Sequence, residues 1–191
     1  MTAVLLFSLL AASTPLDCAS LEAKATAAYE ETGQRPQQLA ATATLMHDAG
    51  ACWMQQGDRR KATRGYMLEI YLLSRSGLGS RYQAAVEAYL DTFTSEDDQQ
   101  RYAFVMRHHA VLKSSQGDVA EAFAVLNRLL TITPRTQVKG RAETLLRLSE
   151  MQQKLGNHEV AVEYIRLADS VVTNHMVGDA QKAQYVRVLI P

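Results

Sequence analysis

The chain of 191 residues holds five histidines, His47, His108, His109, His158 and His175, and two cysteines, Cys18 and Cys52. Histidine and cysteine are the side chains that most readily bind metals, move protons or act as nucleophiles near neutral pH, so their spacing decides which chemistry is open. His108 and His109 are adjacent, and neighbours on a helix project about 100° apart, which places them poorly for one metal. No histidine stands four residues from another, and there is no H-E-x-x-H. A G-x-S-x-G elbow is also missing, so serine chemistry lacks its positioned nucleophile. Ser76-Gly77-Leu78-Gly79-Ser80 has neither a preceding strand nor a following Gly-Lys-Ser/Thr, and reads as a turn, not a phosphate loop. The cysteines are not C-x-x-C, which argues against redox catalysis. The expectation is therefore a protein without catalytic centre, metal or cofactor.

Charge gives two further clusters. Arg59, Arg60, Lys61 and Arg64 open one helix beside Asp58; they could meet an acidic partner or a phosphate, but a solvated face is the simpler reading. Glu96-Asp97-Asp98 suits the positive end of a helix dipole. Over the whole chain Lys+Arg and Asp+Glu are 20 each. A balanced charge argues against general nucleic-acid binding, which needs a basic surface to release counterions. Of the aromatic residues, Trp53, Tyr66, Tyr71, Tyr89, Tyr102, Phe104 and Phe123 read as core between helices. Tyr29, Tyr82 and Tyr185 are left open.

The N-terminus is a separate region. Val4 to Ala12 is an uninterrupted apolar run followed by small residues and then Pro15. It is too short to span a bilayer and has the length of a signal-peptide core with a small-residue cleavage site. Residues 1–19 are expected to be a signal peptide and entry segment, which puts the protein in the periplasm or outside the cell. Against this, Met1-Thr2-Ala3 carries no Lys or Arg, and the alternative is a cytoplasmic protein whose first helix is buried. Leu16-Asp17 before Cys18 is not a lipoprotein box. An oxidising compartment would invite a Cys18–Cys52 disulfide, worth ~3–4 kcal/mol in the chain-entropy picture; two buried thiols are the alternative.

The elements that must position all of these are helices. Hydrophobic residues make up 47% and charged residues 21% of the chain, ordinary for a folded protein. Apolar residues recur at helical spacing past residue 20, with no sustained alternation of strand type. The breaks predict helices over 20–32, 36–56, 58–75, 79–93, 96–115, 118–132, 136–155, 157–174 and 178–189. Gly57-Asp58, Gly117-Asp118 and Gly156-Asn157 each put glycine at a helix end and a capping residue at the next start. Ser95 is the expected cap of the helix over 96–115, and Ser74 to Ser80 the most flexible linker. Overlaid on the three glycines, small residues recur: Ala62, Ala122 and Ala161 after them, Gly50, Ala110 and Ser149 before them. Each unit then reads as two helices touching at small residues.

This pattern resembles the tetratricopeptide repeat, a helix-turn-helix unit of about 34 residues. Residues 43–76 match at Gly50, Trp53, Gly57, Ala62 and Tyr66. Residues 103–136 match at Ala110, Gly117, Ala122 and Pro134, and residues 142–175 at Leu145, Leu148, Gly156, Ala161, Ile165 and Ala168. The chain departs from the pattern in three ways. The glycines are not spaced by multiples of the repeat, Glu69 and Ser74 replace the usual alanine and proline, and the helix over 79–93 has no counterpart.

The resemblance implies an all-α, right-handed α-solenoid of antiparallel helix hairpins over residues 20–191, with about nine helices. It also implies an extended concave surface lined by the first helix of each pair. Function in that architecture is recognition of a peptide or partner domain. No asparagine occupies the inner positions His47, Ala51, Arg107, Val111, Leu146 and Glu150, which argues against a carboxylate clamp. His47, Met54, Arg107 and Lys113 are the residues expected to face the groove. The leading expectation is a non-catalytic protein–protein interaction scaffold, without nucleic acid and without a membrane span, able to form homo-oligomers through an uncapped end. A sensory or regulatory domain of a larger signalling protein is the second reading. An enzyme on a helical scaffold is the third.

Overall fold

In a computed structural model the described residues are 17–32, 35–134 and 137–175. They form eight α-helices: α1 (Cys18–Glu31), α2 (Pro36–Gln55), α3 (Arg59–Ser76), α4 (Gly79–Thr92), α5 (Gln99–Ser115), α6 (Val119–Ile132), α7 (Val138–Lys154) and α8 (His158–His175). No strand occurs among the described residues. The expected segments 1–19 (up to Leu16) and the ninth helix over 178–189 lie outside the described residues.

Three of the connections are one turn, built three times. After α2, the Asp58 N–H donates to Trp53 O at 2.9 Å and the Gly57 N–H to Met54 O at 3.0 Å. Asp118 and Gly117 repeat this onto Lys113 and Ser114, and Asn157 and Gly156 onto Gln152 and Gln153. This is the Schellman closure, which satisfies the last carbonyls of a helix and needs a left-handed residue. Gly57, Gly117 and Gly156 supply it with φ of 78°, 87° and 79°. The side chains of Asp58 and Asp118 then cap the next helix by accepting from the Lys61 and Glu121 N–H groups. With so short a connection the second helix must fold back on the first, and α2–α3, α5–α6 and α7–α8 pack as hairpins. The small residues beside the turns are all buried: Ala62, Ala110, Ala122 and Ala161 fully, and Gly50 and Ser149 as well.

The substantial contacts join helices one or two apart in order, including α3 with α5 and α5 with α7. The core follows the same layering. One cluster, around Ile70, Leu72, Leu73, Val86 and Phe93, lies under α1–α4, a second around Leu126, Leu129 and Leu148 under α5–α7, and a third, with Leu145, Ala168 and Val172, between α7 and α8. Most of the aromatic residues pack against these clusters, and Tyr82 and Tyr89 are buried outright. Helix α4 packs against both α3 and α5. It is a single helix set between two hairpins, which accounts for the uneven glycine spacing.

Some boundaries differ from expectation, each for a local reason. Helix α1 starts at Cys18, two residues early, because Asp17 accepts from the Ser20 N–H and caps it. Helix α5 starts at Gln99 and not near 96: Asp97 accepts from the Thr94 N–H and from Arg59, holding residues 94–97 in a turn, and Asp98, not Ser95, is the cap. The linker expected over 74–80 shrinks to Gly77 and Leu78, since Ser76 Oγ donates to Leu73 O and accepts from the Leu78 N–H.

Cys18 and Cys52 form a disulfide with a Cα–Cα distance of 5.5 Å, closing a separation of 34 residues. It ties α1 to α2. The Glu22 carboxylate adds to the same joint, accepting from Trp53 Nε1 at 3.1 Å and from Arg64 at 3.0 Å. Three of the four residues of the basic cluster make such contacts: Arg59 with Asp97, Lys61 with Asp58 and the Trp53 ring, Arg64 with Glu22.

The tightest crossing is between α2 and α3. A Cβ at Gly65 would lie 2.6 Å from Met46 O, 2.7 Å from Gly50 N and 2.8 Å from Gly50 Cα, all backbone. Gly140 in α7 is the contrast, with nothing nearer than 3.8 Å. Gly65→Ala should therefore destabilise by about 2–4 kcal/mol, since two helices must separate. Gly140→Ala should be neutral or stabilising by up to about 1 kcal/mol through helix propensity. Chemical denaturation of both variants checks the pair; equal effects would contradict the crossing.

Candidate functional site

The largest recess among those that stand out in the described residues is a groove of about 400 Å³ between the α2–α3 hairpin and α4. Its geometry follows from the Gly50–Gly65 crossing. With the two backbones in contact, the neighbouring residues His47 on α2 and Tyr66 and Glu69 on α3 come together. The His47 Nδ1–H donates to Glu69 Oε2 at 2.9 Å, and the His47 and Tyr66 rings meet edge to face at 5.3 Å. Tyr66 continues to Phe93 at 5.6 Å and Phe93 to Tyr89 at 4.8 Å, giving an aromatic end wall.

The opposite wall is α4. Tyr82, Val86 and Tyr89 are spaced by four and three and turn inward, all buried. The remaining stripe, Arg81, Ala84, Ala85 and Ala88, lines the groove. Methyl groups there leave the space that longer side chains would fill. At the rim Arg81 reaches across to donate to Thr44 Oγ1 of α2 at 3.2 Å. Helix α4 is held from behind by α5: the Tyr82 hydroxyl lies 2.7 Å from His108 Nδ1, and the His108 ring packs at a tilt against Phe104, 4.4 Å between centroids.

Burial sets the electrostatics. Glu69 is 8% exposed, and desolvation holds its carboxyl above the usual range, partly offset by the hydrogen bond from His47. Desolvation also raises the Tyr66 phenol, with the Glu69 charge as the second cause. Behind the groove, burial pushes His108 down to about 4, helped by Arg107 and Arg147, and pushes Tyr82 up to about 12. His108 is thus a neutral ring at pH 7.

Of the four residues expected to face a groove, one, His47, lines this recess. Met54 is half-buried and packs against the first core cluster. Arg107 of α5 pairs with Glu143 of α7 at 2.9 Å. Lys113 sits in the last turn of α5, near His109. Sequence reasoning missed Arg81 and the alanine stripe, because nothing in the chain order of α4 says which face is left uncovered. It did single out Glu69 as a departure from alanine, which with His47 pointed here. No group of three or more potential ligands for a metal ion occurs among the described residues, and no described helix is long and apolar enough to cross a membrane.

No protein-family model matches the chain, and no curated protein or solved structure is significantly similar to it.

The lowered His108 value has a consequence for acid stability. The unfolded chain takes up the proton near pH 6.5 and the folded chain only near 4, so stability is full above pH 6.5 and falls as the pH drops through that window. The loss should reach about 3 kcal/mol at the lower end. Glu69, shifted upward, acts in the opposite sense and is common to both proteins compared. His108→Gln, which can still accept from Tyr82, should flatten the slope of stability between pH 6.5 and 4 relative to the native chain. Urea denaturation at stepped pH values measures it, and an unchanged slope would contradict the assignment.

Proposed function

We propose that this chain is a non-catalytic interaction module, a tetratricopeptide-like right-handed solenoid of antiparallel hairpins, and that it binds a peptide segment of a partner protein in the groove between α2–α3 and α4. The observation that carries the reading is the groove itself: about 400 Å³, walled by rings and methyl groups with a few polar atoms at the rim, a composition suited to anchoring side chains. The threefold turn at Gly57, Gly117 and Gly156, the small-residue contacts beside each turn and the neighbour-to-neighbour helix contacts support the repeat architecture. We further propose export from the cytoplasm, with the apolar run Val4 to Ala12 as its signal; the Cys18–Cys52 bond supports this, since disulfides persist in oxidising compartments.

Binding is tested by selecting peptides from a random display library against the oxidised protein. Selected peptides should converge on one motif and perturb the amide signals of His47, Ala84 and Ala88. Ala88→Leu, at an exposed position on α4, should weaken them about tenfold without changing the melting temperature. Peptides that do not converge, or that map to another face, would overturn the reading.

Export is tested by the intact mass of protein from its native host, with and without reduction and alkylation. The expected result is a mass lacking about the first dozen residues and two cysteines that alkylate only after reduction, with reduction costing ~3–4 kcal/mol of stability. A full-length chain with two free thiols would exclude it.

A further inference from the structure

Among the described residues Glu69 is the only acidic or basic side chain that is buried. A buried charge is costly unless it is fully paired, and this one is half paired. Oε2 accepts from His47, a ring that is half exposed and whose charge is optional. Oε1 has no protein hydrogen bond among the described residues, yet it is not sealed from solvent, and the residue lines the groove. An open carboxylate oxygen therefore lies in a recess whose other walls are the Tyr66 and Phe93 rings and the methyls of Ala84 and Ala88. The charges acting on Glu69 are Arg81 and His47 on one side and Asp48 on the other. With His47 neutral, two carboxylates face one guanidinium, and that guanidinium is at the solvent-screened rim, engaged with Thr44.

We infer that the groove receives a basic side chain, lysine or arginine, from the bound peptide, with its cationic head on Glu69 Oε1 and its methylene stem along Ala84 and Ala88. This rests on the groove reading above and adds the chemistry of the occupant. The head group supplies the hydrogen bonds the carboxylate lacks. The stem is apolar and straight, which fits a methyl-lined slot, and the Tyr66 ring favours a cation near it; the Phe93 ring already carries the Arg59 guanidinium, 5.2 Å from its centroid. An acidic side chain would meet the Glu69 charge in a desolvated site, where like charges repel most strongly.

The probes are acetyl-Ala-Lys-Ala-amide and its norleucine and glutamate counterparts, titrated into protein carrying isotope-labelled alanine methyls. The lysine probe should shift the Ala84 and Ala88 methyls and bind about tenfold more tightly than the norleucine probe. Glu69→Gln should abolish that preference. Arg81→Ala, an exposed change that leaves the core alone, should hold or raise lysine affinity and so keeps the test valid if Glu69→Gln fails to fold. Equal binding of lysine and norleucine probes at the same methyls would overturn this inference while leaving the groove reading intact. A preference for the glutamate probe that is lost in Arg81→Ala would overturn it with the opposite sign. No methyl shift with any probe would overturn both.

Discussion

The backbone of α2 occupies the space where a side chain at Gly65 would be, and the rest of the N-terminal half follows from that contact. A helix pair usually keeps its axes about 8–10 Å apart because side chains fill the gap. Here Gly65 meets the Met46 carbonyl and the Gly50 backbone with nothing between. Glycine inside a helix costs about 0.5–1 kcal/mol of propensity, so the chain gives up local stability for proximity. The return is geometric. His47 follows Met46 and Tyr66 follows Gly65, so the crossing delivers a histidine, a phenol and, one turn on, the Glu69 carboxylate to one place. A wider crossing would leave Glu69 buried without its histidine.

The hairpins themselves depend on a cheaper device. One glycine in the left-handed region and one short capping side chain close a helix, satisfy its last carbonyls and start the next helix reversed. Used three times, the device produces three antiparallel hairpins. At the position of Gly65 the other hairpins carry Val125 and Tyr164, so neither can repeat a contact in which the partner backbone occupies the Cβ position. The first hairpin is thus the specialised one, and α4 stands beside it. Because α4 has no partner helix of its own, its inner face is anchored by Tyr82, Val86 and Tyr89 while its alanine stripe is left uncovered. The groove is the space left by a helix without a mate.

How much of this could be read in advance depends on the range of the interaction involved. Helix positions were legible because turn glycines and apolar spacing are local signals, and the eight described helices lie close to their expected spans. The errors fell at Asp17 and at Asp97-Asp98, where several acidic residues compete to cap and only three-dimensional partners such as Arg59 decide between them. The site was scarcely legible. His47 was marked, but together with Met54, Arg107 and Lys113, which sit against the first core, in an α5–α7 ion pair and at the end of α5, and not with Glu69 or Arg81. The link from His47 to Glu69 spans 22 residues and two helices. It depends on the register of α3 against α2, which Gly65 sets. Gly65 carried a signal that could have been used: a glycine in a helix interior, flanked by good helix formers, calls for a packing reason.

The two polar interiors on either side of α4 solve the burial problem in opposite ways, and the difference bears on function. Between α4 and α5, His108 gives up its charge: the ring is neutral, Tyr82 occupies its Nδ1, and Phe104 packs against it. That arrangement is closed and needs nothing further. Between α3 and α4, Glu69 is partly desolvated with one oxygen satisfied and one facing open space. An alanine at this point, as in the repeat the sequence resembles, would cost nothing to bury. A carboxylate is worth its desolvation only if something completes its hydrogen bonds, and among the described residues only His47 contributes one. Structural economy accounts for the first interior and leaves the second incomplete. The incompleteness of Glu69, more than the volume of the recess, sets the groove apart from a packing defect.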